Sequence, residues 1–145
     1  MKTIIPRSVI AAFACLLLAA CSLIAPFDQV SYEHATSAKV DTLALMDKAT
    51  GSYSDHQKEI EALNIELDKA YEYDRGRSLN KLTVAQWEIL RSPTGDLVGT
   101  FLITWKARGS LGAGIVNEKK IQIGKAFDKI IALENGKLKA VGGNQ

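Results

Sequence analysis

The sequence predicts an all-α fold, a small bundle of four to five helices that begins with an antiparallel hairpin. Three observations carry this expectation. Apolar and small residues recur at alternating three- and four-residue spacing, over runs longer than strands usually reach. Clusters of glycine, serine and proline separate the runs. The chain holds no internal repeat and no low-complexity stretch that would call for another architecture.

The first helix is expected within 27–49, where Ala35, Ala38, Thr42, Leu45 and Ala49 share a face with Val30, Leu43 and Met46 beside them. Gly51, Ser52 and Ser54 mark the break after it. His56, Ile60, Leu63, Leu67 and Ala70 fall on one face of a second helix, with Asp55 or Ser54 as its expected N-cap and Gly76 where it ends or kinks. Thr83 is positioned to cap a short third helix carrying Trp87 and Leu90. Ser92-Pro93-Thr94-Gly95 reads as a turn. Asp96 would cap a further helix with Leu97, Phe101 and Trp105 in line, and 109–114 reads as a flexible connection. Val116, Lys120, Ile123, Phe127 and Ile130 define the last helix, which Asn135-Gly136 is expected to close with a left-handed glycine. Trp87, Phe101, Trp105 and Phe127 are expected in the core. The alternative for residues 96–141 is α+β. Thr100–Trp105 is rich in strand formers, and residues 130–141 fit a C-terminal β-hairpin turning at Asn135-Gly136.

The N-terminus has a different character. Lys2 and Arg7 precede an uncharged, mostly apolar stretch, and the small residues Ala19 and Ala20 stand just before Cys21. This is the layout of a secretory signal. The stretch is too short to span a bilayer comfortably, which takes about 20 apolar residues. Leu18-Ala19-Ala20-Cys21 resembles the lipobox of bacterial lipoproteins, a resemblance that covers residues 1–21 only. It implies cleavage between Ala20 and Cys21, a diacylglycerol on the Cys21 thiol and acylation of the new amine. Two or three chains hold durably where a single chain is marginal. By resemblance to Gram-negative lipoproteins, Ser22 in place of an aspartate after the cysteine implies transfer to the outer membrane, on its periplasmic face. The expected organisation is a removed leader over 1–20, a lipidated N-terminus and short tether over 21–26, and one helical domain over 27–145. Fully extended, the tether reaches less than about 20 Å, so the domain sits close to the membrane.

Cleavage there would leave 125 of the 145 residues, one domain's worth. Cys15 would leave with the leader and Cys21 would be acylated, so no thiol remains for a disulfide, a thiolate metal site or a nucleophile. Loss of Lys2 and Arg7 takes the formal charge from +2 to zero, which removes any argument for nucleic-acid binding. The remaining charge is uneven. Residues 22–74 carry 11 acidic and 4 basic side chains, and residues 75–145 carry 5 acidic and 12 basic. Either the two halves face each other, or they form a polarised surface. In the second case Lys119, Lys120, Lys125 and Lys129 would meet anionic lipid, lipopolysaccharide or peptidoglycan.

The sequence offers no catalytic residue set, no metal site and no cofactor motif. His34 and His56 lack the glutamate three positions earlier that di-metal bundles use. Gly109–Gly114 lacks the lysine of a phosphate loop, and there is no Gly-x-Ser-x-Gly elbow. The leading expectation is a non-enzymatic envelope lipoprotein, held on the lipid bilayer through Cys21, that binds or scaffolds an envelope protein, lipid or cell-wall component. The alternatives are a ligand-binding or enzymatic lipoprotein acting on a lipid or cell-wall fragment, and an inhibitor or immunity-type lipoprotein.

Overall fold

The structure, a computed structural model, describes residues 24–142. Among them are five helices and no strand: α1 (Gln29–Asp47), α2 (Gln57–Arg75), α3 (Lys81–Arg91), α4 (Val98–Arg108) and α5 (Ala113–Gly142). The expected helical bundle forms, and the β alternative is overturned. Thr100–Trp105 lies within α4, and Asn135-Gly136 lies within α5.

Helices α1, α2, α3 and α5 make a closed ring, each packed on the next and α5 returning to α1. Neighbours in the ring run antiparallel. Helix α4 is a crosspiece, packed on α3 and on the 3₁₀ turn Tyr53–His56 between α1 and α2. The bundle therefore has two distinct ends. The tether end gathers residues 24–31, the loop 76–80 and the last turns of α5. The far end gathers the α1–α2 link, α4 and the start of α5.

Burial follows the periodicity. Trp87 and Phe127 meet edge to face with ring centres 6.0 Å apart, among Met46, Leu67, Leu90 and Ile123. Phe101 and Trp105 are also buried, as expected of large aromatics in a core of this size. The indole N–H of Trp105 donates to the Gly51 carbonyl at 3.1 Å, with Tyr53 edge-on at 5.4 Å. This fastens α4 to the α1–α2 link. Gly99 lets α4 start hard against the end of α3, because a Cβ there would stand 2.2 Å from the Arg91 carbonyl oxygen. No helix among the described residues is long and apolar enough to cross a membrane, the 30-residue α5 included.

Helix ends differ from expectation, and at Thr83 and Asp96 the reason is that a side chain with capping chemistry serves a tertiary partner. Ser54 and Asp55 fall inside the 3₁₀ turn, and α2 starts after His56 with no side-chain cap. Helix α3 starts at Lys81 after Asn80, so Thr83 lies in its first turn, buried near the Lys137 amine at 3.4 Å. Asp96 adopts a left-handed φ of 57° one residue before the N-cap Leu97, and its carboxylate serves Lys119 and Gln122. Helix α5 runs through Asn135-Gly136, because Glu134 and Lys137 on either side are both held in the interior.

Among the described residues, two buried side-chain polar atoms lack a hydrogen-bond partner, His34 Nδ1 and Thr42 Oγ1. The Thr42 hydroxyl is buried in α1 with no hydrogen-bond partner. A buried polar group without a partner costs about 1–3 kcal/mol. Thr42→Val keeps the shape and removes the hydroxyl, so it is expected to raise unfolding free energy by about 1 kcal/mol. A higher urea midpoint with unchanged slope is the expected readout, and a lower midpoint contradicts the assignment.

Candidate functional site

The tether end holds a buried polar cluster built from four helical stripes. On α2, Ile60, Leu63, Leu67 and Ala70 lead one step on to Asp74, which is fully buried. On α5, Ile123, Phe127 and Ile130 lead to Glu134 and Lys137. On α1, Ala35 is preceded one turn earlier by Ser31, and on α3, Trp87 is preceded by Thr83 and Asn80. Apart from Thr42 on α1, each stripe is apolar along the bundle and turns polar at this one end.

The groups satisfy one another. The Asp74 carboxylate accepts from Ser31 Oγ at 2.6 Å, Trp87 Nε1 at 2.7 Å, Asn80 Nδ2 at 2.9 Å and Arg77 Nη1 at 3.2 Å. Arg77 also donates to Glu134 Oε1 at 3.0 Å. Lys137 donates to Glu134 Oε2 and to Asn80 Oδ1, the latter at 2.6 Å. Two carboxylates thus meet two cations, with their remaining valences filled by neutral donors and acceptors, as burial of charge requires. Burial works against the Arg77 charge, but Glu134 and Asp74 outweigh it and move the guanidinium pKa up.

This cluster grips the incoming chain. The Asp28 N–H donates to Glu134 Oε1 at 2.9 Å, and Arg77 Nη2 donates to the Pro26 carbonyl. The Ala25 N–H donates to the Leu79 carbonyl at 3.1 Å, and Ala25 is buried. Folded contacts therefore reach two residues upstream of Phe27, where the domain was expected to begin. Asp28 caps α1 by accepting from the Ser31 N–H at 2.9 Å and takes the Tyr73 hydroxyl at 3.0 Å. Burial opposes the Asp28 charge, yet the Ser31 N–H, the Tyr73 hydroxyl and Arg77 outweigh it and hold its pKa below the ordinary aspartate value. A carboxylate depressed in this way stabilises the fold above its unfolded pKa, and that contribution is lost as pH falls through the folded value.

Beside the cluster lies an open groove of about 540 Å³ between the start of α3 and the end of α5. Ile24, Leu79, Leu82 and Leu133 supply its apolar wall, and Asn80, Thr83 and Lys137 supply its polar floor. Gly136 faces open space there. Leu79 adopts a left-handed φ of 61°, which L-residues with a Cβ adopt at a cost.

The residues singled out in the sequence are placed as follows. Ala20 and Cys21, with the rest of the lipobox-like segment, lie outside the described residues. The four lysines do not share one environment. Lys119 pairs with Asp96, and Lys120 pairs with Asp47 across the two halves of the chain. Lys125 and Lys129 are exposed one turn apart on α5 and pair with no described residue. Arg91 pairs with Asp68, so part of the uneven charge is neutralised between the halves. His56 Nδ1 lies 3.4 Å from Glu59, and His34 stands edge-on to Tyr73 at 5.2 Å. Among the described residues, no group of three or more histidine, cysteine or acidic side chains is placed to hold a metal ion. A second hollow, of about 310 Å³ between α1 and α2, brings Asp41 and Glu66 together. Burial first, and the Asp41 charge second, raise the Glu66 pKa.

Compared with known protein families, curated proteins and solved structures, the chain finds no match.

Proposed function

We propose that the protein is an envelope lipoprotein, held on the periplasmic face of an outer membrane by acyl chains on Cys21. Its helical bundle acts there as a non-enzymatic binding or scaffolding body. The observation that supports this reading is the union of a lipobox-like cysteine with a clamp only four residues downstream. From Cys21 to Ala25 the chain reaches at most about 14 Å when extended. From Ala25 onward it is bonded to the Leu79 carbonyl, to Arg77 and to Glu134. A lipid on Cys21 would therefore hold a bundle whose tether end stays next to the bilayer, with its other faces turned to a partner. A flexible stalk would leave orientation free, whereas this arrangement restricts it.

Cys21→Ser is the test. In cells fed labelled palmitate, the unaltered chain is expected to incorporate label and to sediment with membranes, and the variant to do neither. Unaltered protein without lipid, or with its leader intact at the mass spectrometer, excludes the reading.

A further inference from the structure

Resting on the lipoprotein reading, we infer that the tether end is itself a membrane-seating surface. In this arrangement Ile24, Leu79 and Leu82 enter the acyl boundary of the leaflet, and Lys81 meets its anionic headgroups. Among the described residues, Ile24, Val30, Tyr73, Leu79 and Leu82 are exposed large apolar residues gathered at this one end, while Val40, Ile65, Ile89, Ile103, Ile115 and Ile121 are divided among five helices. Such concentration marks an interaction surface, while scattered exposed residues do not.

The identity of the occupant follows from where the chain leads. Ile24 lines the groove, and Cys21 is three residues before it, within about 11 Å of extended chain. The Ala25 N–H bond to the Leu79 carbonyl fixes the exit of the tether beside the two exposed leucines. Any bilayer reached by lipid on Cys21 therefore lies against this face. The chemistry fits an interface. Lys81 stands between Leu79 and Leu82 in sequence, is exposed and pairs with no described residue. Tyr73 and Phe27 add aromatic rings of the kind that sit at headgroup level. A soluble ligand fits less well. Asn80, Thr83 and Lys137 on the groove floor are already bonded to one another and to Glu134, which leaves no buried polar group aimed outward to orient one. Leu79 holds an exposed apolar side chain on a left-handed backbone where glycine would be unstrained. Folding alone gives no reason for a leucine there, and membrane contact does.

The experiment uses the full, lipid-bearing chain in vesicles of phosphatidylethanolamine and phosphatidylglycerol, with and without bromine on the acyl chains. An environment-sensitive dye is attached to Leu79→Cys or, at the far end, to Gly112→Cys. The Leu79→Cys dye is expected to lose most of its emission to the brominated lipid, and the Gly112→Cys dye to lose none. The 19 residues of α1 alone separate the two ends by about 28 Å. Leu79→Gly separates seating from folding. It is expected to raise the melting temperature by relieving the backbone, yet to reduce quenching of a dye on Leu82→Cys. Palmitate-bearing protein whose two dyes are quenched equally, or not at all, overturns the seat and leaves the anchor standing. A chain that takes up no palmitate overturns both.

Discussion

Asp74→Ala is expected to cost the fold about 3–5 kcal/mol, the range for removing one partner from a buried ionic network. The side chain is fully buried and is the common acceptor of the cluster, so its loss strands groups on two helices and the loop between α2 and α3 at once. Ser31 Oγ on α1, Trp87 Nε1 on α3 and Asn80 Nδ2 before α3 lose their carboxylate acceptor. Arg77 keeps Glu134, but Lys137 shares that carboxylate, so two cations are left on one anion. A domain of this size is stable by about 5–15 kcal/mol, so the variant is expected to be partly unfolded or to melt far earlier. Ser31→Ala removes a single neutral donor and is expected to cost only about 1 kcal/mol. Urea unfolding followed by helical circular dichroism gives both numbers. A loss at Asp74→Ala no larger than at Ser31→Ala means that the carboxylate is not the hub described.

The helices were legible in the sequence because spacing alone fixes which side of a helix can be buried. Ile60, Leu63, Leu67 and Ala70, or Ile123, Phe127 and Ile130, have only one face to share, and that face is the core. The polar cluster was missed although the same spacing reaches it. Asp74 lies one step beyond Ala70, Glu134 one step beyond Ile130 and Ser31 one step before Ala35. A charged residue at such a position usually means that the stripe has left the core, because burying a charge is costly without partners. Each carboxylate has a cation three residues on, Arg77 after Asp74 and Lys137 after Glu134, which reads as an ordinary surface pair. The contacts that make burial possible join distant parts of the chain: 43 residues from Ser31 to Asp74, and 57 from Arg77 to Glu134. The same reason explains the reading of Asn135-Gly136 as a helix end. Glycine there weakens the helix by about 1 kcal/mol, and the interior bonds of Glu134 and Lys137 carry it through. The uneven charge left two arrangements open in the sequence, halves facing each other or a surface of four lysines. Lys120 meets Asp47 across the halves, Lys119 meets Asp96 within the second half, and of the four only Lys125 and Lys129 stay unpaired among the described residues.

Glu134→Ala is expected to cost about 3–5 kcal/mol as well, since Arg77 and Lys137 both lose a buried counter-ion. A stability loss alone does not say what the carboxylate is for, and a compensated variant does. Glu134→Leu combined with Lys137→Met replaces an ion pair with apolar groups of similar size, an exchange that is often neutral or stabilising. Arg77 keeps Asp74 in that variant, so most of the stability is expected to return. The grip on the incoming chain is not expected to return, because Asp28 N–H has no other acceptor placed like Glu134 Oε1 and Arg77 is free to leave the Pro26 carbonyl. Hydrogen exchange reads the difference directly. The Asp28 amide is expected to exchange at nearly the rate of an open chain in the compensated variant, and to stay protected in the original protein. Protection at Asp28 that survives in the compensated variant means that the cluster only supports the fold. Lost protection in a bundle of near-original stability means that the buried charges hold the chain in place. Packing of apolar groups would stabilise the bundle equally well, but it would leave the chain entering α1 unfixed.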